Sequence, residues 1–388
     1  MTPAARVQSA IEILDEIQAG KPAEQALTGW ARRSRFAGSK DRAAIRDHVF
    51  GVLRNRRSFA AFGGGESGRA LMLGALRAAG TDPHEVFTGL PHAPAALTAQ
   101  EQDAGRTELD PAEQADLPEW LWARFQSSLG DKALACAQAL RQRAPVHLRV
   151  NARRAQVPQV IGQLKEQGIS AVAHPAAAQA LEVVEGERKI RNSALYADGV
   201  IELQDAGSQA IVEALPLSSG MKVLDYCAGG GGKSLAMAAL SDLHLHAHDA
   251  FPQRMRDLPA RAKRAQVRVT LTEQEALPQA GPFDLILCDV PCSGSGSWRR
   301  APEGKWLLTQ ERLEEIQQIQ SDILSHVRQF LKPGGVLAYA TCSVLASENE
   351  EQVKAALARH DDLSLLNTYR WLPEDGTDGF FLAILSKS

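Results

Sequence analysis

The chain has 388 residues, 44% of them hydrophobic and 23% charged, and is therefore long and apolar enough to bury a sizeable core. Lys and Arg number 43 against 46 Asp and Glu, so the net charge of -3 indicates no general affinity for nucleic acid. No run approaches the ~20 apolar residues of a membrane helix, which excludes an integral membrane protein, and the acidic N-terminal stretch makes a secretory signal unexpected.

The five cysteines indicate the cellular compartment. Their number is odd, and four of them lie from Cys227 onward, which is not the pattern of a disulfide framework. Reduced thiols are typical of a reducing cytoplasm. We therefore expect a cytoplasmic protein that contains reactive cysteines.

Residues 1–80 are rich in Ala, Leu and Arg at helical spacing and predict a small all-helical domain. Between Trp30 and Ala60, nine basic residues stand against two acidic ones, and the spacing predicts that the cations share one helical face. Such a face is either simply solvated or binds RNA, the second if the rest of the chain acts on nucleic acid. The basic residues are Arg32, Arg33, Arg35, Lys40, Arg42, Arg46, Arg54, Arg56 and Arg57.

The next stretch reverses the charge. From Thr81 to Trp120 nine acidic residues stand against Arg106 alone, and five prolines interrupt any helix, so residues 81–118 are predicted to be a linker. Residues 119–203 then predict a small helical and α/β module. Its helix resumes to about Arg143 and is followed by elements at Val146–Val150 (strand), Val157–Gln167 (helix) and Ala180–Val184 (strand).

Residues 204–388 alternate apolar strands with helices, the clearest helix running from Thr309 to Leu331. This alternation predicts an α/β domain with a parallel sheet covered on both faces. Ligands of such sheets bind at the carboxyl ends of the strands. The predicted strands are Lys222–Tyr226, His244–Asp249, Val267–Leu271, Asp284–Asp289, Val336–Ala340 and Phe380–Leu385.

A glycine-rich loop follows the first of these strands. Four consecutive glycines between a strand and a helix let the backbone approach a ligand at the helix N-terminus. A phosphate-binding NTPase loop is disfavoured, because it needs a glycine where this chain has Cys227. The loop residues that we expect to bind a cofactor are Cys227, Ala228, Gly229, Gly230, Gly231, Gly232 and Lys233.

An acidic residue, Asp249, ends the second strand, where it is placed to accept hydrogen bonds from ribose hydroxyls. A glycine loop with this acid is compatible with a nicotinamide cofactor or with S-adenosylmethionine. The Gly-x-Gly-x-x-Gly spacing is only partly present, since Ser234 stands at its last position, and this favours S-adenosylmethionine.

Two cysteines follow the carboxyl ends of later strands. The fourth strand ends in Asp289-Val290-Pro291-Cys292-Ser293-Gly294, and the fifth ends in Thr341-Cys342-Ser343. A single cysteine at such a place is usually a small buried hydrophobe. Two at matching places beside a cofactor loop favour a catalytic pair over packing. Cys136 and Cys288 are interpreted as core residues.

These motifs together resemble the Nol1/Nop2/Sun family of RNA (cytosine-5)-methyltransferases, most closely its bacterial 16S rRNA branch. The resemblance extends to Gln204–Gln209, to Arg299–Trp306, to Ser347–Glu350 and to Asp378–Phe381. Residues 40–54 are similar to part of the NusB-like helical domain of this branch. The resemblance implies a class I, Rossmann-like methyltransferase domain at residues 204–388, and a NusB-like RNA-binding domain at residues 1–80.

The resemblance also implies roles for single residues. Cys342 is the expected nucleophile, Cys292 assists breakdown of the covalent adduct, and Asp289 lies between cofactor and cytosine. S-adenosylmethionine is the expected cofactor, with its ribose on Asp249, and no metal is expected. The expected partner is 16S rRNA, with tRNA as the alternative, and the chain is expected to be a monomer. A non-catalytic RNA-binding assembly factor is the other class, although such proteins are expected to lose a cysteine first.

Two positions depart from the family pattern. Gly229 and Gly230 stand where Ala and Pro are usual, which predicts a more flexible loop. After the third strand, Thr272 and Glu273 stand near the place of the family's adenine-binding aspartate, so that contact stays open. For the nucleophile, Lys233 and Lys305 are the candidate cations of the chain that would favour a thiolate, beside the cationic sulfonium of the cofactor.

Overall fold

The computed structural model describes residues 1–388, the whole chain, as two compact units. The first unit comprises residues 1–143 together with 298–307, and the second comprises residues 144–297 and 308–388. No helix in the structure combines the length and apolar character needed to cross a membrane.

The first unit is helical. Its long helices bury their apolar faces in one core, in which Ile13, Ile45 and Leu71 are almost completely buried. Thr2 caps the first helix by accepting a hydrogen bond from the Ala5 amide at 3.1 Å. The helices from residues 1–143 are α1 (Pro3–Gln18), α2 (Ala23–Arg33), α3 (Ser39–Arg54), α4 (Arg56–Gly63), α5 (Gly68–Ala78), α6 (Ala99–Asp103), α7 (Pro111–Ala115), α8 (Glu119–Leu129) and α9 (Ala133–Leu140).

The acidic stretch interpreted as a linker is folded in the structure as part of this unit. It contains α6 and α7, and its carboxylates pair with arginines of the helical core: Glu101 with Arg69 at 2.6 Å and Asp110 with Arg57 at 3.5 Å. The prolines do interrupt the helices, but ion pairs and backbone contacts still fix the segment. The positive and negative stretches of the sequence thus neutralise each other in part.

Residues 298–307 leave the second unit and pack in the first. The segment ends in the short helix α16 (Gly304–Leu307). Its Trp298 ring stacks on Phe125 with centroids 6.0 Å apart, and its Trp306 indole donates to the Leu53 carbonyl at 2.7 Å. Sequence periodicity alone does not predict this excursion, because ten residues form too short a window.

The second unit begins with a four-stranded antiparallel sheet of order β2-β3-β1-β4. The predicted strands at Val146–Val150 and Ala180–Val184 are present, and two further short strands complete the sheet. Helix α10 (Val157–Glu166) covers one face through Val160 and Leu164. The strands are β1 (Val146–Val150), β2 (Ser170–Ala173), β3 (Ala180–Glu185) and β4 (Ile201–Leu203).

A seven-stranded sheet of order β10-β11-β9-β8-β5-β6-β7 forms the rest of this unit. Six strands run in one direction, and β11 is antiparallel to both of its neighbours. The prediction of an α/β domain is thus confirmed. The strands are β5 (Lys222–Asp225), β6 (His244–Ala247), β7 (Thr270–Leu271), β8 (Phe283–Asp289), β9 (Leu331–Thr341), β10 (Leu363–Trp371) and β11 (Phe380–Lys387).

Helices pack on both faces of this sheet, and two apolar clusters fill the spaces between. The helix predicted from Thr309 to Leu331 ends earlier, at Val327, because Leu331 already starts β9. Strand β10 was not predicted, since most of its side chains are exposed. The helices of this unit after α10 are α11 (Ala194–Ala197), α12 (Ala206–Glu213), α13 (Gly232–Leu240), α14 (Leu258–Ala265), α15 (Leu277–Ala280), α17 (Gln310–Val327) and α18 (Glu350–Arg359).

Candidate active site

The glycine loop connects the carboxyl end of β5 to the N-terminus of α13. Gly229 and Gly231 have φ of +53° and +77°, in the left-handed region that glycine adopts without strain. A Cβ at Gly231 would also lie 2.3 Å from Leu258 Cδ1. These two positions therefore require glycine, whereas Gly230 lies outside the left-handed region.

Three side chains hold this loop. Asp249 accepts hydrogen bonds from the Gly229 amide at 2.8 Å and, through its other oxygen, from the Phe251 amide at 2.9 Å. Arg261 donates to the Gly230 carbonyl, and Arg149 donates to that of Gly232 at 2.8 Å.

These bonds offset the flexibility that the extra glycine residues predict. Sequence reasoning missed Arg149 and Arg261, because neither lies in a cofactor motif. For Arg149 the available signal was a cation in a buried strand, whereas Arg261 is one of three basic residues of α14 and has no distinguishing signal.

The loop is surrounded by carboxylates. Asp225 is buried, its Oδ2 accepts from the Ser234 hydroxyl at 2.5 Å, and its Oδ1 has no hydrogen-bond partner. Burial raises the pKa of the Asp225 carboxyl to about 7, and the charges of Asp289 and Asp249 add to the effect. An orphaned acceptor among three carboxylates fits a cationic ligand with hydrogen-bond donors, and S-adenosylmethionine has both a sulfonium and an ammonium group.

The two motif cysteines meet beside this loop. Strands β8 and β9 are parallel neighbours, with Asp289 in register with Ala340, so the segments that follow them run side by side. As a result the Cys292 and Cys342 sulfurs lie 3.3 Å apart, and both residues are partly exposed. Sequence position predicted that both thiols face one cleft, and the structure brings them into contact.

The two thiols are not equivalent. The hydrogen bond from Cys292 lowers the pKa of Cys342 below its ordinary value, against the opposing effect of burial, and the Lys233 ammonium acts in the same direction. The same hydrogen bond, together with burial, raises the pKa of Cys292 well above its ordinary value. The arrangement favours a thiolate at Cys342 and a protonated Cys292.

Asp289 and Lys233 form an ion pair of 2.6 Å next to the thiols. Burial disfavours the ammonium charge, but the attraction of Asp289 outweighs it and raises the pKa of Lys233. Of the two candidate cations from the sequence, Lys233 therefore lies at the site. Lys305 does not serve the nucleophile: its ammonium donates to the Arg54 and Asp116 carbonyls of the helical unit, at 2.8 and 2.7 Å.

A buried carboxylate, Glu348, joins the two cysteine segments. It accepts hydrogen bonds from the Ser293 amide at 2.7 Å, from the Ser293 hydroxyl and from the Ser343 hydroxyl, each serine being adjacent to a motif cysteine. Gln320 on α17 donates to the same carboxylate at 3.2 Å. Glu348 is fully buried, and the sequence resemblance at residues 347–350 does not predict that it joins the two cysteine segments.

The sequence of this chain is similar to known methyltransferases. Residues 212–386 match the family model for 16S rRNA methyltransferase RsmB/F, and residues 117–188 match the ferredoxin-like domain of RsmF/B-like methyltransferases. The ribosomal RNA small subunit methyltransferase B of Serratia proteamaculans is 33% identical over 285 residues, which cover 70% of this chain and 66% of that protein. The match thus spans just under two thirds of the relative's length.

Solved structures also resemble this fold. A methyltransferase homolog from Pyrococcus horikoshii aligns with a TM-score of 0.63 and 26% identity, over 72% of this chain and 100% of its own. The structure of PH0851 covers 100% of this chain and 99% of its own with a TM-score of 0.77, and at 24% identity it shows the fold alone.

The large sheet is therefore that of a class I methyltransferase. The chain belongs to the RsmB/F methyltransferase family.

Proposed function

We propose that this chain is an S-adenosylmethionine-dependent RNA (cytosine-5)-methyltransferase that acts on 16S rRNA through a covalent cysteine–cytosine intermediate. The observation that carries the proposal is the pair of thiols 3.3 Å apart, next to the Lys233–Asp289 ion pair and the glycine loop. Family membership supports the RNA substrate. The tRNA alternative has no structural feature in its favour.

The chemistry explains why thiols are needed. Carbon 5 of cytosine is a poor nucleophile until a nucleophile adds to carbon 6 and makes the ring an enamine. The Cys342 thiolate forms this bond, while Asp289 hydrogen-bonds the cytosine edge. Residues Cys227 to Lys233 and Asp249 would hold S-adenosylmethionine, which supplies an electrophilic methyl group when bound. The cytosine must leave its stack to enter the site.

The later step of the reaction releases Cys342 from the covalent adduct. Once the Cys342 sulfur is bonded to carbon it carries no charge, so the leading cause of the raised Cys292 pKa disappears. Cys292 then loses its proton to solvent more readily, and the resulting thiolate can act as a base. It can assist removal of the carbon-5 proton while the carbon–sulfur bond breaks and the aromatic ring is restored. Contact between the two sulfurs thus orders the two halves of the reaction.

The direct test is methyl transfer from labelled S-adenosylmethionine to undermodified 16S rRNA, with nucleoside analysis of the product. We expect labelled 5-methylcytosine at one site. Transfer to tRNA and not to 16S rRNA would move the proposal to its alternative. A chain that binds rRNA but transfers no methyl group would instead be a non-catalytic assembly factor. Bisulfite sequencing of RNA from cells that lack the protein identifies the nucleotide, and a cytoplasmic location stays a prediction.

Asp249 provides a test of the cofactor site. Replacement by Ala removes the acceptor for the Gly229 amide as well as the predicted ribose contact, so S-adenosylhomocysteine should bind more weakly by about 1 to 3 kcal/mol. Asp249→Asn is the matched control, because its amide oxygen retains one acceptor and should lose less. Calorimetry measures both. Unchanged affinity in Asp249→Ala, or binding of a nicotinamide dinucleotide, contradicts the assignment.

The single basic helical face predicted from the sequence is not present in the structure, because its residues lie on several elements. The cations lie on α2, α3, α4 and the loop between the first two, so they do not share one helical face. Arg54 donates to the Arg299 carbonyl at 2.9 Å, and Arg56 and Arg57 pair with acidic residues, so these three stabilise the unit. By contrast, Arg32, Arg35 and Lys40 are exposed and form no ion pair. We propose that these residues, with the 76% exposed Phe36, contact RNA.

A pair of double variants tests this surface. Arg32→Ala with Arg35→Ala should weaken RNA binding and reduce the slope of log affinity against log salt by about 0.7 per lost phosphate contact. Arg33→Ala with Arg46→Ala removes the same net charge from residues that pair with Glu16 and Glu24, and should change both quantities less. Equal effects of the two pairs in a filter-binding salt titration would show that only overall charge matters.

A further inference from the structure

Two histidines and a glutamate converge at the small antiparallel sheet. His147 on β1 is directly opposite Glu182 on β3, and His174 follows the end of β2. One potential ligand atom from each residue lies within 4.8 Å of the others. The His147 and His174 rings meet with centroids 4.8 Å apart at 61°. Nothing in the methyl-transfer chemistry uses these side chains.

His147 supplies a second, independent observation. Its side chain is completely buried, and its Nε2 has no hydrogen-bond partner. Its Nδ1 lies 3.0 Å from an Asp205 carboxylate oxygen and 3.1 Å from the Ala206 amide nitrogen. A buried polar nitrogen without a partner is costly. A metal ion on Nε2 would place the ring proton on Nδ1, where it would be donated to Asp205 in place of the Ala206 amide contact. A carboxylate at that position is the usual outer partner of a metal-binding histidine, because it orients the ring and increases its basicity.

We propose that His147, His174 and Glu182 bind one divalent transition metal ion of the zinc type. Two imidazoles and one carboxylate, with water at an open position, form a donor set that Zn²⁺ accepts. His174 would bind through Nε2, which requires its ring proton on Nδ1 in place of the hydrogen bond that Nδ1 accepts from the Ala176 amide. Ligand atoms in a tetrahedral zinc site lie roughly 3.4 Å apart, so side-chain rotations that bring the three together by about 1 Å suffice. The ion would link β1, β3 and the end of β2, and through Asp205 it would act on the start of α12.

The test uses the full chain without an added histidine tag, in a Cys292→Ala, Cys342→Ala background that removes the thiol pair as a competing metal site. After treatment with a chelator, the protein is titrated with Co²⁺ and then with Zn²⁺. We expect one Co²⁺ per chain, with visible absorption but without the near-ultraviolet band of thiolate ligation, and displacement by Zn²⁺. Zn²⁺ should also raise the unfolding temperature, because it binds the native state.

Glu182→Gln is the decisive variant, since it preserves size and lies at a partly exposed position. It should weaken Co²⁺ binding at least 10-fold and abolish the thermal shift, and His147→Ala should abolish both. Glu185→Gln, at an exposed position of the same strand, is the matched control and should change neither. The absence of saturable Co²⁺ binding in the parent, or equal binding by Glu182→Gln and Glu185→Gln, would overturn the proposal.

Discussion

Cys292→Ala should accumulate a covalent protein–RNA adduct that survives denaturant and migrates slowly on a gel, whereas Cys342→Ala should form no adduct and transfer no methyl group. The reason is the division of roles between the two sulfurs: Cys342 is activated for attack, and Cys292 assists release. Turnover should fall to background in both variants. The double variant, which lacks the nucleophile, should form no adduct and is the control.

The opposite assignment makes a distinct prediction, because DNA cytosine methyltransferases attack with the cysteine of a Pro-Cys motif like that of Cys292. In that case the adduct would accumulate in Cys342→Ala. A second readout is the pH dependence of adduct formation. Since the Cys292 hydrogen bond lowers the pKa of Cys342, its removal should raise that pKa and shift adduct formation by Cys292→Ala to higher pH. An unshifted profile, measured against the wild-type single turnover, would argue against this hydrogen bond.

Glu348→Ala is expected to reduce methylation turnover about 100-fold, since displacement of reacting groups by about 1 Å has effects of this size. The substitution leaves the Ser293 amide and two serine hydroxyls without their shared acceptor, so the free energy of unfolding should also fall by about 3 kcal/mol. S-adenosylhomocysteine affinity should change little, because Glu348 does not contact the glycine loop.

Two variants separate positioning from stability. Glu348→Gln retains the shape and one acceptor oxygen, and should restore most of the stability and part of the turnover. Glu350→Ala, two residues along the chain, breaks an exposed ion pair with Arg370 and should change turnover and stability little. Single-turnover kinetics and denaturant unfolding measure the two quantities. Turnover lost only in proportion to the unfolded fraction would reduce Glu348 to a structural role.

The sequence predicted the α/β domain and two thiols at strand ends facing one cleft, because both predictions depend on local patterns. Strand β5, the glycine loop and the two cysteine segments each occupy one continuous stretch, and parallel strands bring such ends to the same edge. Strand β7 was predicted from Val267 but has only two residues, since Val267 and Val269 pack into the apolar cores before pairing begins.

What the sequence did not predict depends on contacts between distant residues. Arg149 reaches the Gly232 carbonyl across 83 positions, and Lys305 reaches the Asp116 carbonyl across 189. The sequence around a lysine near a cysteine motif does not show whether the lysine is a catalytic or a structural cation. Burial in the helical unit lowers the pKa of Lys305 to about 7, whereas the attraction of Asp289 raises that of Lys233. The two lysines thus differ in pKa because they lie in different environments, which only the folded structure shows.

Because residues 298–307 belong to the first unit, the two units cannot be produced as two separate continuous fragments. The chain crosses between its two units after Arg143, after Ser297 and after Leu307, so no single cut in the gene separates them. A fragment that begins at residue 144 would retain Trp298 and Lys305 without the helices that bury them. Loss or exchange of the helical unit by simple recombination would therefore expose an apolar, charged strip immediately after the Cys292 segment. The two units of this chain therefore have to be expressed and engineered together.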